Sequence, residues 1–172
     1  MGILDGNPKN EPMHYGEIFS VWGFVLNSQC FATSLQLYKN HAGDKDLKQL
    51  LDDMHSQAKS EISECEKLLK ENGITPPPSF PEKPNANLED IPPGARIMDP
   101  EIATALWREL AASLVACSQT IAMSIREDIA AMFGKFHTEK MVLGARLLRM
   151  NKQKGWLIPP PLQVKHTEPV HA

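Results

Sequence analysis

Hydrophobic side chains recur at every third or fourth position along two long stretches of the chain, residues 13–75 and 101–158, and neither stretch contains proline. That spacing places apolar side chains on one face of an α-helix, and proline is excluded from helix interiors because its ring lacks the amide donor and clashes with the preceding turn. Polar, turn-forming residues near 41–44 and 124–127 divide each stretch in two. The pattern predicts four helices, near residues 11–42, 45–72, 99–123 and 126–154.

The ends of these helices are predicted from capping residues. Gly43 suits the end of the first helix and Asp44 the N-cap of the second, because glycine adopts the left-handed conformation readily and aspartate accepts hydrogen bonds from free amides. Asp99 suits the start of the third helix, ahead of a proline at its first position. Ser124 followed three residues later by Glu127 has the capping-box pattern, which favours the start of the fourth helix there.

The two proline-free stretches resemble each other at a shift of 82 residues. At this shift His55 falls on His137 and Gly73 falls on Gly155, and the apolar positions of the second helix fall on those of the fourth. Amphipathic helices align by periodicity alone, but the shared histidine, glycine and following prolines go beyond periodicity. The sequence therefore predicts a duplicated helical hairpin.

Residues 73–98 connect the two hairpins with 26 residues that are rich in proline. An extended segment of this length spans about 80 Å, whereas a helix of 28 residues is about 42 Å long, so the connection can return along the bundle. Two hairpins joined by one long crossover form the ferritin-like arrangement, in which the second and third helices are parallel. The length also allows simple up-down-up-down order.

The predicted fold is therefore all-α: a ferritin-like four-helix bundle made of two repeated helical hairpins joined by a long proline-rich crossover. We expect a single domain over residues 1–172. Its parts are a first hairpin at 11–72, a crossover at 73–98, a second hairpin at 99–155 and a C-terminal tail at 156–172.

Composition excludes several classes of function. The formal charge of −3, from 18 basic and 21 acidic residues, gives no electrostatic reason to expect nucleic acid as a partner. Cys30, Cys65 and Cys117 are too widely separated for a disulfide framework or a zinc site and are predicted to be buried, reduced thiols. The chain opens without a signal-peptide pattern, so we expect a cytoplasmic protein.

Two long runs carry no charged residue, residues 18–38 and 110–125. The first raises the question of a membrane span, but polar residues interrupt it and no basic flank sets an orientation, so we expect no membrane insertion. Its apolar residues surround more of the helix than one core stripe needs. This predicts a homo-oligomer, with a dimer favoured.

Four residues are candidate metal ligands: His55, His137, Asp52 and Glu109. Carboxylate-bridged di-iron bundles need Glu-x-x-His on two helices and a glutamate on each of the others. Here Asp52 stands three residues before His55, but Gly134 occupies that place before His137. Histidines at the edge of the core with hydrogen-bond partners are the alternative interpretation. We expect no cofactor and no catalytic site, and retain iron, zinc or manganese at these residues as the alternative.

Three short motifs carry a family resemblance: Glu17-Ile18-x-x-x-Trp22, Arg126-Glu127-Asp128-Ile129, and the ending from Met150 to Pro160 that contains Lys154-Gly155-Trp156. With the crossover, they make the chain resemble an uncharacterised ferritin-like helical family of endospore-forming bacteria, related to spore coat protein F. The resemblance implies a ferritin-like bundle with a structural role in the spore coat or sporulation. It implies self-association, assembly with other coat proteins in the mother-cell cytoplasm, and no established activity.

Overall fold

The computed structural model describes residues 11–163, and the ends of its helices lie within four residues of the predicted ones. Two short 3-10 helices, Leu88–Asp90 and Pro93–Ala95, lie in the crossover. The predicted C-terminal tail falls partly outside the described residues. The four α-helices are α1 (Tyr15–His41), α2 (Lys45–Glu71), α3 (Asp99–Met123) and α4 (Glu127–Lys154).

Contacts at both ends of the bundle establish the order of the helices. The His14 ring at the start of α1 lies 3.1 Å from the carbonyl oxygen of Met123 at the end of α3. At the other end, Ile97 N donates to His41 Nδ1 over 3.0 Å. Helices α1 and α3 are therefore antiparallel. Since α1 and α2 form a hairpin, α2 and α3 run in the same direction, which is the ferritin-like order and not up-down-up-down.

The crossover follows the length of α1, and polar side chains of α1 bind its backbone. Trp22 Nε1 donates to the Thr75 carbonyl over 3.1 Å, and Gln36 Oε1 accepts from Lys83 N over 2.8 Å. Asn40 makes two such bonds, donating to the Pro84 carbonyl and accepting from Ala86 N. An extended proline-rich segment cannot satisfy its own backbone groups, so the uncharged polar residues of α1 do so.

Within the described part of the chain, α1 is also the helix long and apolar enough to cross a membrane by length and composition. In the bundle this composition has a local cause. One side of α1 contributes Val21 and Val25 to the core, where both are fully buried, and another side binds the crossover. A charged residue on either side would lack solvent, which accounts for much of the uncharged run over residues 18–38.

Each hairpin loop is held by a carboxylate from the other hairpin. Glu17 Oε1, fully buried at the start of α1, accepts hydrogen bonds from the backbone amides of Ile125 and Arg126 at 2.9 and 3.0 Å. Asp99, at the start of α3, accepts from the amides of Gly43 and Asp44 at 2.8 and 3.0 Å. We call this pair of interactions the reciprocal clasp.

The clasp obeys the sequence repeat. Glu17 and Asp99 are 82 residues apart, and so are the two pairs of amides that they bind. The far ends of α2 and α4 correspond in the same way, because Arg126 donates to Asn72 over 2.9 Å where Lys154 donates to Asp44 over 2.6 Å. The equivalent Gly73 and Gly155 both have φ near +70°, at 75° and 72°. The duplication seen in the sequence is thus present in the tertiary contacts.

The clasp also corrects three of the predicted caps. Asp99 is the first residue of α3 and not its cap, since its carboxylate binds the opposite loop. Ser124 ends α3 and does not start α4, because Glu17 already satisfies the amides ahead of α4. Gly43 lies outside the left-handed region, and α1 ends at Ala42 in an extended conformation. The prediction for Asp44 is confirmed, since its Oδ1 accepts from two amides of the first turn of α2.

Candidate functional site

A groove of about 1020 Å³ separates α1 from α3 along one face of the bundle. This volume is at the upper end of the range typical of small-molecule sites, roughly 300–1,000 Å³. The groove exists because small residues stand where the two helices face each other. The α1 wall consists of Phe19, Gly23, Asn27, Cys30, Phe31, Ser34 and Tyr38. The α3 wall consists of Glu109, Ala112, Ser113, Ala116, Gln119 and Met123.

A buried ion pair lies at the floor of the groove. Lys140 Nζ of α4 is 2.6 Å from Glu61 Oε2 of α2, and the two side chains are 8% and 1% exposed. Gln57 donates to the other oxygen of Glu61 over 2.9 Å. The Lys140 ammonium also lies 5.4 Å from the centroid of the Phe24 ring, within range of a cation–π interaction. The floor is therefore polar, charged and nearly closed to bulk water.

Sequence reasoning missed this pair, although a signal was present. Lys140 stands between Phe136 and Leu143 at the three-to-four spacing of the buried face of α4. Glu61 has the same relation to Ala58 and Cys65 on α2. A charged residue at a core position of two facing helices indicates a buried pair.

The four candidate metal ligands do not form one cluster. Asp52 is paired with Lys39 of α1 at 2.6 Å, and Glu109 is an exposed residue at the edge of the groove. The described residues 11–163 contain no group of three or more His, Cys, Asp or Glu side chains placed to hold a metal ion. Glu61 and Lys140 occupy the interior, facing position from which carboxylate-bridged bundles bind their metals.

His55 and His137 lie at different heights in the bundle. The antiparallel pairing of α2 with α4 is set by the Arg146–Asp53 and Lys135–Glu64 ion pairs. In that register His137 is opposite the residues near position 62 of α2, about seven residues from His55. The two positions are separated by roughly 10 Å along the helix axis.

His55 faces the crossover and not α4. Partial burial lowers the pKa of its imidazole, with Lys59 acting in the same direction and Glu82 and Asp52 opposing. Its Nε2 atom is buried without a hydrogen-bond partner. Lys59 in turn pairs with Glu82 of the crossover, so His55 lies beneath the strap that the crossover forms over α2.

The cysteines divide into two kinds, and the prediction that all three are buried was wrong for one of them. Cys65 and Cys117 are fully buried, and burial raises the pKa of both thiols, to about 11 for Cys117. Cys30 is exposed at the groove. Its position follows from the groove itself, which leaves that side of α1 uncovered.

Comparison with known proteins gives consistent relatives. The chain is 52% identical over 169 residues to the uncharacterized protein YvdQ of Bacillus subtilis strain 168, covering 98% of this chain and 99% of that one. A crystal structure described as a putative spore coat protein (BH2358), from Bacillus halodurans C-125, superposes with a TM-score of 0.91 at 46% identity. That match covers 92% of this chain and 100% of the other.

A more distant structure shows the fold alone. The two-domain protein from Anabaena variabilis ATCC 29413, which contains DJ-1/ThiJ/PfpI-like and ferritin-like domains, matches with a TM-score of 0.61 at 15% identity, over 95% of this chain and 43% of that one. A family model described as protein of unknown function (DUF3231) matches residues 1–168. The three-motif resemblance found in the sequence is thus confirmed, and the chain belongs to the DUF3231 family.

Proposed function

We propose that this protein is a structural component associated with the spore coat, and that it assembles by self-association. The coat role is supported by the name of the B. halodurans structure, whose chain is 46% identical. The self-association is supported by one observation on this chain, an exposed apolar surface formed by α1 and α3. Assembly with other coat proteins and a location in the mother-cell cytoplasm belong to the same proposal.

This surface, the α1–α3 face, consists of Tyr15, Phe19, Leu37, Trp107, Val115 and Met123. Phe19 is 77% exposed and Val115 is 58% exposed, which is unusual for large apolar side chains on neighbouring helices. The uncharged runs 18–38 and 110–125 lie on these two helices. Two copies with a net charge of −3 each can therefore meet here without like charges in direct opposition.

Sedimentation equilibrium tests self-association with a matched pair of variants. We expect a dimer for the natural chain, and at least a tenfold increase in dissociation constant for the Phe19→Ser, Val115→Ser double variant. Val142→Ser on α4 is the control, because Val142 is 59% exposed, like Val115, but lies outside the α1–α3 face. A natural chain that sediments as a monomer at all concentrations would contradict the proposal.

Fluorescence microscopy of a tagged protein tests the coat role. In a sporulating Bacillus cell we expect the tag to accumulate in the mother cell and then surround the forespore. Extraction of purified spores should release the protein with the coat fraction. A uniform distribution in vegetative cells, with no enrichment in spores, would argue against a coat role whatever the oligomeric state.

The alternative function is a degenerate metal site at His55 and His137, for which the buried, unpartnered Nε2 of His55 is the favouring observation. Elemental analysis after incubation with iron, zinc or manganese and desalting tests it. Stoichiometric metal that is lost in His55→Asn and His137→Asn would support the alternative. Metal below one-tenth equivalent in the natural chain would end it.

A further inference from the structure

The buried ion pair interrupts the internal symmetry of the bundle at one place. Under the 82-residue repeat, Lys140 corresponds to Ala58 and Glu61 corresponds to Leu143. All four residues are buried, and Lys140 and Ala58 both line the floor of the groove. The two halves thus present equivalent positions to the groove, but only one half places a charge there.

Stability does not account for this pair. Removing two charges from water costs as much as the pair regains, and well-packed apolar residues of similar volume are often as stable. The repeat shows what such an arrangement would be, because its other copy has alanine and leucine at the same positions. The pair therefore points to a role in the groove.

The ammonium of Lys140 has hydrogen-bonding capacity to spare. Lysine carries three donors and no acceptor. In the described part of the chain, one hydrogen bond is recorded for this ammonium, to Glu61 Oε2. The Phe24 ring stabilises the charge but accepts no conventional hydrogen bond. Buried donors are normally satisfied, so the groove floor favours a ligand atom that accepts.

The shape and charge of the groove define the ligand further. Its α3 wall runs from Glu109 to Met123, which is about 21 Å along the helix, and the walls are mostly apolar or small. Glu61 already neutralises Lys140, so a second anion would leave net negative charge at the buried floor, and a cation would find no free carboxylate.

We propose that the groove binds an elongated apolar molecule with one uncharged oxygen acceptor, such as a long-chain alcohol or an acyl ester, whose oxygen accepts a hydrogen bond from Lys140. The site is complete within one chain and does not depend on self-association. Association at the α1–α3 face would close the open side of the groove over the bound molecule.

A head-group series with a constant tail tests the proposal. The uncharged dye N-phenyl-1-naphthylamine reports occupation of the groove by its fluorescence. Dodecan-1-ol, dodecanoate and dodecyltrimethylammonium then compete for the site. We expect the alcohol to displace the dye at a concentration at least tenfold lower than either charged compound. Equal displacement by all three, or no binding of the dye and the alcohol, would overturn the proposal.

Two double variants identify the group responsible. Glu61→Leu with Lys140→Met keeps the core filled, follows the leucine found at position 143, and should abolish the tenfold preference for the alcohol while the dye still binds. The control is Glu64→Leu with Lys135→Met, the same exchange in an exposed pair on the same helices, 2.7 Å apart. It should retain the preference. A core variant that still prefers the alcohol tenfold would refute the role of Lys140.

Sedimentation of both double variants separates this inference from the proposed function. We expect neither variant to change the dissociation constant of the dimer by more than threefold, because neither touches the α1–α3 face. Loss of the alcohol preference with unchanged association supports the ligand site alone. Loss of association in Phe19→Ser, Val115→Ser with retained alcohol binding supports the assembly surface alone.

Discussion

At the scale of single residues, a few buried polar groups determine how the helices meet. Glu17 is fully buried and binds the backbone of a loop more than a hundred positions away. Asp99 does the same for the opposite loop. A buried amide without a partner costs about as much as a lost hydrogen bond, so each carboxylate replaces a local cap with a long-range one.

Replacing Glu17 with alanine should lower the free energy of unfolding by about 2–3 kcal/mol, because the amides of Ile125 and Arg126 lose their acceptor. Glu17→Gln should lose less, since its amide oxygen can still accept from both. Urea unfolding followed by circular dichroism measures the two values. Equal losses for alanine and glutamine would mean that the negative charge, and not the acceptor, holds the loop.

Stability should fall with pH below the ordinary pKa of histidine because of His55. Burial lowers the pKa of this imidazole in the folded state below its usual value of 6.5. As the pH drops through 6.5, the unfolded chain takes up the proton and the folded chain does not, so the free energy of unfolding decreases. Urea unfolding at about pH 7.5 and about pH 5.5 should show a smaller decrease for His55→Asn than for the natural chain. An equal decrease would show that His55 titrates alike in both states.

At the scale of elements, α1 is the organising helix. It packs in the core on one side, binds the crossover on another and forms a wall of the groove on a third. The crossover has no regular structure beyond two short 3-10 helices, and side chains of α1 and α2 hold it in place. Its order therefore depends on a few side-chain hydrogen bonds.

The Asn40→Ala variant should loosen the crossover without unfolding the bundle. Asn40 accepts from the Ala86 amide over 3.1 Å and donates to the Pro84 carbonyl over 3.0 Å. Hydrogen exchange should become at least tenfold faster at Ala86 and stay unchanged in the middle of α2. Asn27→Ala, on the groove side of the same helix, is the matched control. Unchanged exchange at Ala86 in Asn40→Ala would show that the prolines hold the crossover without this side chain.

At the scale of the whole molecule, the reciprocal clasp joins two homologous hairpins into one unit. Each hairpin supplies a group that the loop of the other requires, and the core aromatics come from both. Phe24 lies 5.0 Å and 5.7 Å from the ring centroids of Phe133 and Phe136. Neither half can satisfy its buried groups alone.

Unfolding should therefore occur in a single transition that involves both hairpins. Trp22 reports on the first hairpin, and Trp107 and Trp156 report on the second and its following segment. A variant that retains Trp22 alone and one that lacks only Trp22 should give the same urea midpoint by fluorescence, once each is corrected to its own midpoint by circular dichroism. Two separate midpoints would show that the hairpins unfold independently.

The sequence by itself determined the four helices, the duplication and the presence of a crossover. These depend on local spacing, on proline exclusion and on glycines such as Gly73 and Gly155, whose physical effect is felt within a few residues. It also determined the family, because the three short motifs are contiguous in the chain.

Only the tertiary structure decided the caps at Asp99 and Ser124, the pairing of Lys140 with Glu61, and the separation of His55 from His137. Each depends on which helices face each other and in what register. A backbone amide can be satisfied by any carboxylate that folding brings near, and a charge on an apolar stripe is stable only if its partner lies on the facing helix. Those are properties of the packed bundle, since contacts between positions 61 and 140 or 17 and 125 have no counterpart in local spacing.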